Sequence, residues 1–372
     1  MKTYTYTVRV MLTVFLAACS KSATEPLEIE TPTNTQADYT ILLEASGSLT
    51  MARLQATGDD LTLKASELEF PLFSDSEITF ANNNSFSFYE VTETCNGKVL
   101  LFDFNTGNYK LIDTFLNLDA CNLEVTSVSH DSANVFLTFT KSEIGKEDSH
   151  FVRIIDQNDT DNQVDIPLDL KPLQSIPSQG KLFVLTLDTT ITDENGISVI
   201  EIGQQSVVYE KLVGFNAKKI FKDPDGDIVI SYPELHTTVN RNTFEEAYTQ
   251  YGENIRPNLY QSVYATFDTF GKLYYTMNMD DGGEKNPAVY DFQANKATLY
   301  LFENFLSNEQ ITQLHIKSAT AIAYDLEHDY IVIGYAKTNG TDGGILRITP
   351  TPDFRYIDAI DLEGVPRAII VQ

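Results

Sequence analysis

From residue 38 onward the chain is a succession of short apolar runs separated by polar turns. The clearest unit is Val99–Phe115 (VLLFDFNTGNYKLIDTF), which is an apolar strand, an Asp-Phe pair, a polar turn and a second apolar strand. Ala288–Phe302 (AVYDFQANKATLYLF) repeats it. Weaker copies pair Phe151–Asp156 with Val164–Leu168, Ile197–Glu201 with Val207–Leu212, and Ile345–Ile348 with Tyr356–Ile360. Ahead of each pair stands another apolar strand: Phe86–Tyr89, Val135–Phe139, Leu182–Leu187, Leu273–Met277 and Tyr330–Gly334. Copies recur about every 40 to 58 residues, the period of four-stranded β-propeller blades.

This spacing predicts six blades, at 76–116, 123–168, 173–213, 216–251, 260–305 and 318–362. Left over are Tyr39–Leu43, Leu49–Leu54 and Leu61–Ala65 at one end and Ala368–Val371 at the other. Three strands plus one make a seventh blade closed by both chain ends, which removes an open sheet edge. The expected class is therefore all-β, a seven-bladed propeller with four-stranded blades, and a pair of β-sandwiches is the alternative. Thr243–Tyr251 (TFEEAYTQY) fits a strand or a short helix. Asp193–Gly196, Asp223–Gly226, Asp280–Gly283 and Asn339–Gly340 supply turn chemistry. Ser307–Gln310 has the capping-box pattern that begins a short helix.

In an up-and-down blade the connections between second and third strands share a face with those that join blades. The predicted connections on that face are long: 141–149, 188–195, 279–286, 306–317 and 336–343. Long loops on a rigid scaffold are where binding sits. Cys95 and Cys121 fall on this face too. In an oxidising compartment the pair is a disulfide candidate, worth roughly 3 kcal/mol for a loop of about 26 residues.

The N-terminus has a different pattern. Lys2 and Arg9 precede the apolar run Val10–Ala18, shorter than the roughly 20 residues that span a bilayer. This is a secretory signal over residues 1–18. It ends Leu16-Ala17-Ala18-Cys19, which resembles a lipobox, so Cys19 is the expected lipidation site. Residues 20–37 are rich in Thr, Pro, Glu and Ser and cannot bury a core. They read as a tether of roughly 25 Å, and Ser20 after the cysteine favours the outer membrane. The propeller is then 38–372.

The 53 acidic residues outnumber 26 basic ones, and loss of Lys2 and Arg9 takes the formal charge from −27 to −29. Such a surface repels nucleic acid and anionic lipid, so the membrane is reached through the lipid anchor alone. Abundant Tyr and Phe without Trp fit strands.

Few motifs carry chemistry. Asp223-Pro-Asp225-Gly-Asp227 has the look of a calcium loop with Glu234 at the twelfth position, but Ile228 stands where the turn needs glycine. A hairpin turn with solvated carboxylates is the plainer reading. His130, His150, His236, His315 and His328 show no metal-ligand spacing, and no cofactor motif is present. The adjacent triad types His130-Asp131-Ser132 cannot converge on one another. Tyr232, His236, Arg241, Arg256, Asn258 and Tyr260 gather aromatics and rare cations around the fourth blade, on the expected long-loop side, and are the candidate ligand-binding residues. The competing reading has the tyrosines packing between blades and the arginines pairing with acids.

The lipobox, the acidic tether, the blades and the ending Gly364–Gln372 (GVPRAIIVQ) together resemble seven-bladed propeller lipoproteins of Bacteroidetes-type bacteria. Some of these are similar to surface proteins that bind iron–siderophore complexes beside outer-membrane transporters. The resemblance implies a ligand- or partner-binding module that assists nutrient or siderophore uptake. An anionic ligand then needs a local positive patch. A structural or adhesive scaffold predicts a flat face, and a propeller hydrolase or lyase predicts convergent carboxylates or histidines at the channel mouth.

Overall fold

The computed structural model describes residues 36–372, apart from 66–69, 75, 83, 253–255 and 279–282. Cys19, the signal segment and most of the tether lie outside the described residues. Seven four-stranded antiparallel sheets stand around a common axis. The closing blade holds β1 (Gln36–Ala45), β2 (Ser48–Thr57) and β3 (Asp60–Lys64). The first blade is β4 (Thr79–Asn82), β5 (Ser85–Val91), β6 (Gly97–Asp103) and β7 (Tyr109–Thr114). The second is β8 (Leu123–His130), β9 (Asn134–Lys141), β10 (Ser149–Asp156) and β11 (Gln163–Leu168). The third is β12 (Lys171–Ser178), β13 (Lys181–Leu187), β14 (Asn195–Glu201) and β15 (Ser206–Gly214). The fourth is β16 (Lys219–Lys222), β17 (Ile228–Ser231), β18 (Leu235–Val239) and β19 (Glu246–Gln250). The fifth is β20 (Thr266–Phe267), β21 (Lys272–Asn278), β22 (Lys285–Asp291) and β23 (Lys296–Leu299). The sixth is β24 (Ile316–Asp325), β25 (Tyr330–Lys337), β26 (Gly343–Ile348) and β27 (Tyr356–Leu362). The chain ends in β28 (Val365–Val371), which pairs with β1 as the innermost strand of the closing blade. The propeller and its closure by both ends are thus as the spacing predicted.

The burial patterns explain the sequence pattern. Middle strands such as β9 are covered on both faces by neighbouring blades and read as continuous apolar runs. Outer strands such as β7 are covered on one side and alternate. Apolar clusters fill the spaces between blades. One of them joins Phe88, Phe102 and Phe104 of the first blade to Leu42, Ala368 and Ile370 of the closing blade.

Two charged residues are buried with the apolar ones. Arg153 and Arg347, each 1% exposed, occupy equivalent cross-strand positions, opposite Asp165 and Asp358. Each guanidinium donates to both oxygens of its aspartate and lies over an aromatic ring, Phe115 or Tyr330. Arg347 also donates to Gly58 O at 2.8 Å, linking the sixth blade to the closing one.

The abundance of aspartate has a local cause. Asp131, Asp223 and Asp268 follow the innermost strands of three blades and Asp325 ends that of a fourth, and each carboxylate accepts a backbone N–H of the next turn. Tyr39 Oη donates to Asp325 at 2.6 Å and locks the closing blade to the sixth.

The connections sort onto two faces, as expected. One carries the loops at 142–148, 188–194, 300–315 and 338–342, and the other carries mostly tight turns but also the longer connections 157–162, 240–245 and 349–355. Cys95 and Cys121 meet on the long-loop face as a disulfide. The capping box at Ser307 and Gln310 starts the helix α1 (Asn308–Leu314). Within TFEEAYTQY, Glu246–Gln250 is strand.

Candidate functional site

A central channel of about 750 Å³ runs along the propeller axis. Its wall is made by innermost strands, each of which starts at the long-loop face and ends at the short-turn face. Apolar groups such as Ile176, Phe221, Ala323 and Ile369 line it, with Tyr264, Tyr274, Gln174 and Asn82 among the polar ones. Its size and mixed lining are those of a small-molecule cavity.

Its charges are unevenly placed. Lys219, the first residue of β16, lines the channel near the long-loop mouth. Its Nζ donates to the carbonyl oxygens of Ser262 and Val263, the latter at 3.2 Å. Lys285 Nζ donates to the adjacent carbonyl of Gln261 at 3.4 Å, so two ammonium groups share one short stretch of backbone. Burial lowers Lys219 to about 8, with the charge of Lys285 adding to the effect. Burial lowers Lys285 as well, with Arg367 contributing. Arg367 lies on β28 and pairs with Glu44 at 3.6 Å. Among the described residues neither lysine has a carboxylate at ion-pair distance.

The far end is mixed. Lys222 donates to Asn82 at 3.3 Å, and burial lowers its pKa while the Asp131 charge opposes this. Asp223 and Asp268 line the same end. Burial raises Asp223.

The residues singled out from sequence do not come together as one cluster. Tyr232 is buried between the third and fourth blades and donates to Val213 O at 2.9 Å. Burial pushes its pKa up to about 12. His236 is buried on the other side of the same blade, 4.9 Å from the Phe292 ring and 5.6 Å from Tyr251, and burial lowers it to about 4. Arg241 lies in the connection between β18 and β19, on the short-turn face. This corrects its expected placement, because a third-to-fourth-strand turn is on the opposite side from the long loops. There it pairs with Asp227 at 3.3 Å and donates to Asp225 O.

Arg256 is on the long-loop side, paired with Glu234 at 2.9 Å. Asn258, with φ 46°, caps the short 3-10 turn Leu259–Gln261 that contains the half-buried Tyr260. That turn leads directly to the carbonyls that receive Lys219 and Lys285, so the expected region flanks the channel mouth. Asp223, Asp225 and Asp227 form no ligand-distance group among the described residues. Asp223 and Asp227 are engaged in turn hydrogen bonds to Asp227 N and Arg241 N.

Sequence reasoning missed Lys219, Lys285 and Arg367. The available signal was rare basic residues at strand starts or on innermost strands of so acidic a chain.

The sequence matches no protein-family model and no curated protein sequence. Solved structures share the fold. A puromycin hydrolase superposes with TM-score 0.51 at 8% identity, over 88% of this chain and 54% of that one. This chain therefore spans about half of that hydrolase. A candidate 6-phosphogluconolactonase from Bacteroides fragilis superposes with TM-score 0.51 at 11% identity, over 92% of this chain and 99% of that one. At these identities the likeness is one of fold.

Proposed function

We propose that this chain is a cell-envelope lipoprotein whose propeller binds a small molecule in its central channel and assists its uptake. The channel itself supports the reading, since about 750 Å³ of mixed polar and apolar lining is more than a flat adhesive scaffold needs. A hydrolase or lyase is the second reading, favoured by Asp223 and Asp268, two carboxylates that line one end of the channel.

The test is ligand-observed NMR with a library of neutral and charged fragments, on wild type and Thr266→Trp. Thr266 is an exposed position on the channel wall, so the indole obstructs the channel without entering a blade core. Fragments bound by wild type and lost in the variant support the channel as the site. Equal binding by both refutes it. For the anchor, Cys19→Ser is expected to release the protein from the membrane fraction and abolish labelling by a fatty-acid probe. A variant still membrane-bound and labelled refutes the lipobox reading.

A further inference from the structure

We propose that a second cavity, at the short-turn end of the axis, binds a neutral, hydroxyl-rich molecule, a carbohydrate. The site adjoins the channel and is independent of what the channel holds.

The cavity has a volume of about 410 Å³ and forms where the inner turns of the first four blades converge. Asn82, Asp131, Ser132, Lys222, Asp223 and Asp225 are part of its polar lining. Asn82, Lys222 and Asp223 line the channel too. Lys222 Nζ of the fourth blade donates to Asn82 Oδ1 of the first at 3.3 Å, a bond that reaches across the axis where the two spaces adjoin.

Three observations select the ligand class. First, charges of both signs face the cavity. Asp131, Asp223 and Asp225 oppose an anion and Lys222 opposes a cation, so a free ion of either sign meets like charge. Among the described residues none of these four is in an ion pair, and the nearby Arg241 is paired with Asp227. Second, donors and acceptors are both left over. Asp131 Oδ1 accepts the N–H groups of Ala133 and Asn134, and Asp223 Oδ1 accepts that of Asp227. Among the described residues the Oδ2 atom of each has no donor. An ammonium carries three N–H donors, and Lys222 uses one, on Asn82. A hydroxyl donates to a carboxylate and accepts from an ammonium through one oxygen. A set of hydroxyls therefore matches this lining where an ion or an apolar group does not.

Third, the polar groups are held in place without a ligand. The turn hydrogen bonds fix Asp131 and Asp223. Ser178 Oγ donates to Gly226 O at 2.6 Å and ties the inner turn of the third blade to that of the fourth. Binding therefore orders few side chains.

The test is isothermal titration of the full chain with the methyl glycosides of glucose, galactose and mannose. The amino-sugar and uronate analogues of the best binder follow. A neutral glycoside is expected to bind, and each charged analogue is expected to bind at least tenfold more weakly. Lys222→Met keeps the side-chain length and removes the charge. It should weaken the neutral glycoside by about tenfold, the loss of one charge-assisted contact, and move the preference toward the amino sugar. Asp225→Asn, at an exposed position, should move it toward the uronate. These rankings compare ligands on one variant, so a general loss of folded protein does not produce them. Thr266 lines the channel and not this cavity, so Thr266→Trp should retain the sugar.

No binding of any neutral glycoside at millimolar concentration overturns the proposal. So do charged analogues that bind as tightly, or a ranking that neither Lys222→Met nor Asp225→Asn alters. Loss of the sugar in Thr266→Trp assigns it to the channel and overturns the separate site. If sugars fail while channel fragments bind and are lost in Thr266→Trp, the carbohydrate site falls and the channel reading stands.

Discussion

Removing Asp358 isolates a buried charge. The Arg347 guanidinium is 1% exposed and donates to Asp358 at 2.9 and 2.6 Å. Its remaining partners are Gly58 O, the Tyr39 hydroxyl and the face of Tyr330, and none of them is an ionised carboxylate. In Asp358→Ala the buried cation loses its counter-ion, for which the expected cost is about 3–5 kcal/mol. An unfolding entropy of about 2.1 cal/mol/K per residue gives roughly 0.7 kcal/mol/K over Gln36–Gln372. The midpoint of thermal unfolding should therefore fall by about 4–7 °C. Urea unfolding followed by circular dichroism gives the free energy directly. The double variant Arg347→Met/Asp358→Leu removes both charges and refills the volume, so it should recover most of the loss. A single variant costing less than about 1 kcal/mol, as an exposed pair would, or a double variant no better than the single one, refutes the reasoning.

Acid should destabilise the fold through its buried histidines. Burial lowers His130, helped by the Lys222 charge, and His236 from 6.5 to about 4. The unfolded chain then takes up protons below pH 6.5 that the folded chain refuses until about pH 4. Stability is lost as pH falls through that window, by up to about 3 kcal/mol per site. His236→Phe should flatten the slope of the urea midpoint between pH 7 and pH 5, and an unchanged slope counts against it. Reducing the Cys95–Cys121 bond, which closes a separation of 26 residues, should cost roughly 3.5 kcal/mol by loop entropy, read as a lower melting point in dithiothreitol and in the double serine variant. Gly344→Ala places a Cβ 2.3 Å from Tyr335 Oη and 2.6 Å from Ile360 O and should cost at least about 2 kcal/mol. By contrast, Gly203→Ala meets nothing within 4 Å and should change stability by less than about 0.5 kcal/mol.

The blades were legible because each is a contiguous meander whose pattern reports how its strands are covered. Asp103 and Asp291 mark equivalent turns by accepting nearby backbone N–H groups, a purely local device that sequence displays openly. The capping box at Ser307 is equally local. The disulfide was legible at one remove, once the count of strands put both cysteines on one face. The channel-mouth lysines were not, because Lys219 and Lys285 meet only where the fourth and fifth blades converge on the backbone of Gln261, Ser262 and Val263. Tyr232 and His236 misled for the complementary reason. An aromatic residue at a strand end reads alike whether it faces a ligand or the next blade, and here the next blade covers both. Arg241 was misplaced by one connection, and in a meander that exchanges the faces.

The position of β28 has a consequence for how the protein is made. Leu42 of β1 lies between β2 and β28 in the closing sheet, yet the two flanking strands are synthesised about 300 residues apart. Until Val365–Val371 leaves the ribosome, one side of β1 has no partner and the toroid is open. A chain truncated before that point leaves the sheet edge of β1 uncovered, together with Leu42 and Ile41, which are buried in the finished protein. Synthesis of β28 is thereby a quality check, since only chains that contain it can hide that edge from proteases and chaperones.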